Sequence, residues 1–255
     1  MSSRRRKNGR LPTLRNANMN EKYWYLKKCS VFSELSPDQI RDIEHDCFAR
    51  EFSRGDVIYL PSDFGNSVLL VARGRVRVYH VTNEGKQAIL GFVEPGELFG
   101  ELSAFDGSQR EEYAEACEKS LIVLMPREVV QRLMHQQPSV AMRLTRLFGL
   151  RLKRVERRLK SLLFRSSRDR LVHLLLELAE RYGSPTPEGT LINQKISHQD
   201  MASIIGATRE TVTITLGELQ ADGILQIEKR RITLTDFNGL AVASDFGPVQ
   251  TAFGI

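Results

Sequence analysis

Phe148, Leu152, Val155, Leu159 and Leu162 recur at steps of 4, 3, 4 and 3. That spacing marks one apolar stripe on a helix that packs lengthwise against another helix. Around it, residues 138–170 hold eleven Lys or Arg and only two acids. So narrow a stripe packs either on its own domain or on the same stripe of a second copy. The single row and its dense basic flanks point to a homodimer held by a helix over 138–165. Whatever the rest of the chain does, it is divided in two by this helix.

On the N-terminal side the period is two. "DVIYL", "SVLLVARGRVRVYHV", "KQAILGFV" and "SLIVLM" are short β-rich runs over 47–125, with Gly55, Gly65, Gly74, "NEGK", "EPGE" and "FDGS" between them. Many short strands at this spacing suggest a jelly roll or barrel, and "VRVYHVTNEGKQAIL" a hairpin turning at Asn83–Gly85. Residues 21–46 alternate helical pattern with breaks; Ser36 is a helix cap and Pro37 a first helical residue. Residues 1–20 are polar, basic and aperiodic, as in a disordered tail. Met19 is a second candidate start.

The 255 residues carry a net charge of +6, unevenly placed. Residues 1–28 hold nine basic residues and one acid, 29–137 eleven and eighteen, and 171–255 six and ten. A basic belt between acidic lobes suits a polyanionic partner, although a solvated helix face and a loose tail give the same pattern. No apolar run reaches the roughly 18–20 residues of a membrane span. No apolar core follows the basic start, so no secretory signal is expected and the cytoplasm is the expected location. Cys29, Cys47 and Cys117 form neither a CxxC pair nor a metal spacing, and an iron–sulfur cluster normally takes four cysteines. His45, His80, His135, His173 and His198 show no ligand pattern, so neither haem nor a metal site is expected. No Ser–His–Asp set, zinc motif or P-loop is recognisable, so the chain does not read as an enzyme.

The most informative stretch is "ISHQDMASIIGATRETVTITLGELQADGILQIEKRRITLTD". Ser197 with Asp200 is a capping box that opens a short helix. Gly206 and Ala207 make a turn, and Thr208 caps a second helix that ends before Gly223. This is the pattern of a helix-turn-helix. In the second helix Val212, Leu216 and Leu219 recur at core spacing, leaving Arg209, Glu210, Thr213, Ile214 and Gly217 on the other face. Arg can bridge guanine O6 and N7, and Glu can accept from cytosine N4. Gln199, Thr208 and Thr211 suit phosphate contacts. "ILQIEKRRITL" is a hairpin wing with Lys229, Arg230 and Arg231 at its tip. Upstream, Ser166 or Ser167 caps a helix over 168–182, and "GSPTPEGT" is a loop.

"GELFGELSAFDGSQREEY", residues 96–113, begins like a phosphate cradle but sets three carboxylates near Arg110. With "GDVIYLPSD", "LLVARGRVRVYH", the long helix and "ISHQDMASIIGATRETV", its order and spacing over roughly 22–237 resemble the CRP/FNR family of bacterial transcription regulators. The resemblance implies an α+β chain: a cyclic-nucleotide-binding-type β-roll over 21–137, the dimerisation helix, a winged helix-turn-helix over 166–237 and a tail over 238–255. It implies a homodimer on palindromic double-stranded DNA that contacts RNA polymerase, with no membrane partner.

It also places an effector pocket at Gly100, Glu101, Leu102, Arg110, Glu111, Val155 and Glu156. In members that respond to cyclic AMP an Arg-Ser pair holds the phosphate; here Arg110 is followed by Glu111. Where the long helix offers Thr-Ser to the adenine, this chain has Val155 and Glu156. Where a second Arg follows the recognition Glu by four residues, this chain has Ile214. Cyclic AMP is therefore disfavoured. Either another anionic effector binds, or DNA is bound without one. Glu111 and Glu112 turned outward, or Glu101 paired with Arg110, are alternatives. A cyclic-nucleotide module acting on a protein partner is the competing function, but such a module needs no winged helix.

Overall fold

The computed structural model describes residues 19–85, 87–228, 231–236 and 240. Residues 1–18 of the expected tail, and the tail expected over 238–255 apart from Leu240, lie outside the described residues. The described residues form two compact units: 19–79 with 91–146, and 80–90 with those from 147 onward.

The first unit begins with α1 (Met19–Lys28), a 3-10 turn (Ser30–Phe32) and α2 (Pro37–Asp46). Ser36 caps α2 reciprocally: its hydroxyl accepts from Gln39 N at 3.3 Å, and Gln39 Oε1 accepts from Ser36 N at 2.8 Å. Such a box satisfies two otherwise orphaned amides. At the other end Lys22 is buried and donates to Glu44 O at 3.0 Å and Cys47 O at 2.9 Å, a cation on helix-terminal carbonyls.

Eight strands follow: β1 (Phe48–Phe52), β2 (Val57–Tyr59), β3 (Ser67–Arg73), β4 (Val76–Val81), β5 (Gln87–Val93), β6 (Leu98–Phe99), β7 (Tyr113–Ala116) and β8 (Ser120–Pro126), with the short α3 (Glu101–Asp106) between β6 and β7. They make two four-stranded sheets, ordered β1-β8-β3-β6 and β2-β7-β4-β5. Phe52, Tyr59, Leu69, Val71, Val76, Val93, Phe99, Ala114, Ala116 and Ile122, drawn from all eight strands, form the core. Strict alternation fails in β3 and β8, where Val68–Val71 and Leu121–Val123 are buried continuously. Helices α1, α3 and α4 (Arg127–Gln136) pack on this sheet, so both its faces are covered.

The second unit contains most of α5 (Pro138–Phe164), then α6 (Ser167–Tyr182), β9 (Gly183–Thr186), β10 (Gly189–Ile192), α7 (His198–Ile205), α8 (Arg209–Ala221), β11 (Leu225–Glu228) and β12 (Arg231–Leu234). Ser166 is the α6 cap, accepting from Asp169 N at 3.1 Å. The strands form one sheet, ordered β11-β12-β10-β9. "GSPTPEGT" is thus a hairpin and not the expected loop. Its prolines mimic a coil signal, but Pro185 sits on the edge strand β9, which loses little from a missing amide. Gly189, at φ +137°, is needed because a Cβ there would lie 2.1 Å from Leu234 O. Leu171, Leu174, Leu175 and Leu178 of α6 pack with Met201, Val212, Leu216, Leu225 and Leu234 in the core of this unit.

Candidate nucleic-acid interface and effector pocket

Helices α7 and α8 are each capped by the residues that open them. Ser197 Oγ accepts from Asp200 N at 3.0 Å, and the Asp200 carboxylate accepts from Ser197 Oγ at 2.7 Å. Gly206 ends α7 in the left-handed region, at φ +65°. Thr208 caps α8, its Oγ1 accepting from Thr211 N at 3.1 Å and lying 3.0 Å from Thr211 Oγ1. One proton is shared between the two hydroxyls, and the other is left to donate outward.

The faces of α8 follow from its pattern. Val212, Thr215, Leu216 and Leu219 are buried in the core. Arg209, Glu210, Thr213, Ile214 and Gly217 are exposed together, and Ile214 leaves 63 % of its surface in solvent. A Cβ built on Gly217 meets nothing within 4 Å, so that side of α8 is open. Gln199 is also exposed, at the start of α7. The far end of α8 is held to α6: Arg168 donates to Glu218 at 3.1 Å and Asp222 at 2.8 Å. Arg231 opens β12 and is exposed; Lys229 and Arg230 lie outside the described residues.

Two features of this unit gave no local sequence signal. His198 Nδ1, on α7, lies 2.9 Å from Thr213 Oγ1 on α8, fifteen residues away. Arg158 of α5 donates to Ile89 O at 2.7 Å, Leu90 O at 3.0 Å and Ile204 O at the end of α7. Burial lowers the pKa of Arg158 from its ordinary value.

In the first unit, Arg110 is turned inward. Only 4 % of it is exposed, and its guanidinium stacks 4.6 Å from the Tyr59 ring centre. It donates to Gly100 O, to Ser103 Oγ at 2.8 Å and to Ser67 O at 2.6 Å. Gly100 is held at φ +66°, and a Cβ there would lie 2.6 Å from Arg110 Nη1, so the glycine is needed to admit the arginine. Burial lowers the Arg110 pKa, opposed by the phenol of Tyr59 and the carboxylates of Glu112, Glu101 and Asp63. Tyr59 donates to Glu112 Oε1 at 2.9 Å, and burial with that carboxylate raises its pKa.

Glu101 is buried at the start of α3, whereas Leu102 and Glu111 are exposed. The structure therefore brings Gly100, Glu101 and Arg110 together and leaves Leu102 and Glu111 at the surface. Val155 and Glu156 belong to the second unit and are exposed on α5. So are Leu152, Leu159 and Leu162, while Phe148 is half-buried. Among the described residues no cluster of His, Cys, Asp and Glu is placed to hold a metal ion. No described helix is long and apolar enough to cross a membrane.

Comparison with known proteins decides what these two sites belong to. Residues 49–137 match the cyclic nucleotide-binding domain, and residues 169–243 match the Crp-like helix-turn-helix domain. A global nitrogen regulator of Synechococcus elongatus is 32 % identical over 198 residues, 77 % of this chain and 88 % of that protein. The chain belongs to the CRP/FNR family of transcription regulators. The cyclic AMP receptor protein of Thermus thermophilus is 30 % identical, over 79 % of this chain and 90 % of its own. The solved structure of FixK2 from Bradyrhizobium japonicum shares the fold at TM-score 0.67 and 25 % identity, over 76 % of this chain and 95 % of that one. A CooA mutant from Carboxydothermus hydrogenoformans shares it at TM-score 0.72 and 24 % identity, over 91 % of this chain and 98 % of that one. As a member of the family, the chain is a DNA-binding regulator with an effector-type β-roll and a Crp-like helix-turn-helix.

Proposed function

We propose that this chain acts as a homodimer, joined along Leu152, Val155, Leu159 and Leu162 of α5, that lays α8 of each protomer in the DNA major groove. In this reading residues 21–137 form the sensing domain, 138–165 the dimer helix and 166–237 the DNA-binding domain. The observation that carries it is the exposed row Arg209, Glu210, Thr213 and Ile214 on a helix whose opposite face is fully buried. Two such helices related by a two-fold axis read half-sites about 34 Å apart, one turn of DNA. A regulator of this kind works in the cytoplasm, contacts RNA polymerase at its promoters, and acts by binding rather than by turnover.

The effector does not follow from the fold. Relatives are named both as a cyclic AMP receptor and as a c-di-GMP responsive regulator. In this chain Arg110 already satisfies three protein acceptors, which argues against cyclic AMP as the ligand.

Selection from random DNA tests the DNA reading. Wild-type protein should return a two-fold sequence, and Arg209→Ala should lose about 1–3 kcal/mol there while relaxing preference at one G·C pair. Glu210→Ala should relax preference at a cytosine. Equal loss on every sequence would reduce these residues to phosphate contacts. A binding constant that did not fall with salt would defeat the reading altogether.

A further inference from the structure

Thr213 stands in the base-facing row of α8, yet the proton of its hydroxyl is already committed. Oγ1 donates to Arg209 O at 2.9 Å, one turn back on the same helix. The same oxygen lies 2.9 Å from His198 Nδ1. A hydroxyl has one proton, so both contacts are hydrogen bonds together only in the tautomer whose His198 Nδ1 carries a hydrogen and donates it. Thr213 Oγ1 is engaged from both helices. What remains for a ligand is one lone pair and the methyl group, with no proton to donate, one residue before the exposed Ile214.

We propose that His198 is a positioning residue for sequence readout. From α7 it holds the Thr213 hydroxyl against Arg209 O, so that Thr213 meets DNA with its methyl. With Ile214 it then offers an apolar pair to the methyl groups of neighbouring thymines. The proposal deepens the DNA-binding reading and rests on it. The chemistry decides between two behaviours of one side chain. A free threonine hydroxyl bonds to any base edge and discriminates little, whereas a methyl packs on the thymine methyl. A helical threonine alone divides between two rotamers, one of them bonded to the carbonyl four residues back. A second donor on the same oxygen depopulates the other rotamer.

Random-sequence selection with His198→Ala, His198→Asn, Thr213→Val and the double variant Thr213→Val/His198→Ala tests this. His198→Ala should weaken thymine preference at the base pair under Thr213 about 5-fold, the ratio that a net hydrogen bond of about 1 kcal/mol carries. Affinity for non-specific DNA and the thermal midpoint should hold. His198→Asn, whose amide N–H can replace Nδ1–H, should restore the preference. Thr213→Val has no hydroxyl to turn, so it should keep the preference and make residue 198 irrelevant to it. A parallel loss on all sequences, or an equal effect of His198→Ala in the valine background, would overturn the proposal. So would an unchanged profile in His198→Ala when the wild type selects a clear two-fold site. Failure of the wild type to select any such site would instead overturn the DNA-binding reading beneath it.

Discussion

Ile214 stands where the family resemblance places a second arginine on the recognition helix. It is exposed on α8 and can make no hydrogen bond to a guanine edge. The expected preference at the base pair it covers is T·A. Ile214→Ala should lower thymine discrimination there, and Ile214→Arg should move the preference toward guanine. Selection that returned guanine with the wild type, lost only on replacing Ile214, would contradict this. Buried titratable groups act at the same scale. His173 on α6 has its pKa lowered, first by burial and then by Arg165, with Glu177 opposing. A histidine kept neutral in the folded state binds fewer protons than in the unfolded chain as pH falls below its ordinary value, about 6.5. Stability should therefore be full above that pH and fall as the solution is acidified towards the depressed folded value. In denaturant titrations from pH 8 to 5, His173→Gln should flatten this slope; an unchanged slope would assign the acid loss to other groups. The row from Arg209 to Ile214 was legible in the sequence because a helix puts its faces at fixed spacing. The acceptors of Arg110 were not, because Ser67 lies 43 residues away and only the fold delivers it.

Secondary-structure elements were read best where local rules act alone. The caps at Ser36, Ser197 and Thr208 form as the residue types require, since capping depends on three or four consecutive residues. Tertiary context overrode the pattern in two places: the β9–β10 hairpin behind its prolines, and the continuously buried strands β3 and β8. The exposed apolar stripe of α5 was legible as spacing, and its consequence belongs to the whole element. Val155 is 62 % exposed and Leu152 60 % exposed, on a helix with buried residues only near its start. A single chain loses little fold stability when such a position is changed, so under the proposed dimer the substitution tests the association and not the fold. Val155→Glu should place two carboxylates against each other across the two-fold and give monomers in sedimentation velocity, with helical content kept. A dimer of unchanged affinity would move the interface off this stripe.

For the whole molecule, the question is whether DNA binding waits for a ligand in the β-roll. A cyclic phosphate would draw the Arg110 guanidinium away from Gly100 O, Ser103 Oγ and Ser67 O. Each buried acceptor left without a donor costs about 1–3 kcal/mol. One bidentate phosphate contact returns roughly that, before the negative charge of Glu111, next to Arg110 in the chain, is counted. The balance therefore runs against cyclic AMP, and calorimetry of the full chain with cyclic AMP or cyclic GMP should show no micromolar binding. Arg110 then acts as a strut. Arg110→Ala should lower the unfolding free energy by about 3 kcal/mol or more, at least about 1 kcal/mol for each of its three acceptors, yet leave affinity for the selected DNA site unchanged at temperatures where the variant stays folded. Saturable micromolar heat with cyclic AMP, abolished by Arg110→Ala, would show that the guanidinium leaves its internal acceptors for a phosphate. The β-roll would then be a sensor of the cyclic-nucleotide kind. Tight DNA binding by ligand-free wild-type protein, equal in the variant, would leave the domain as the support from which α5 extends.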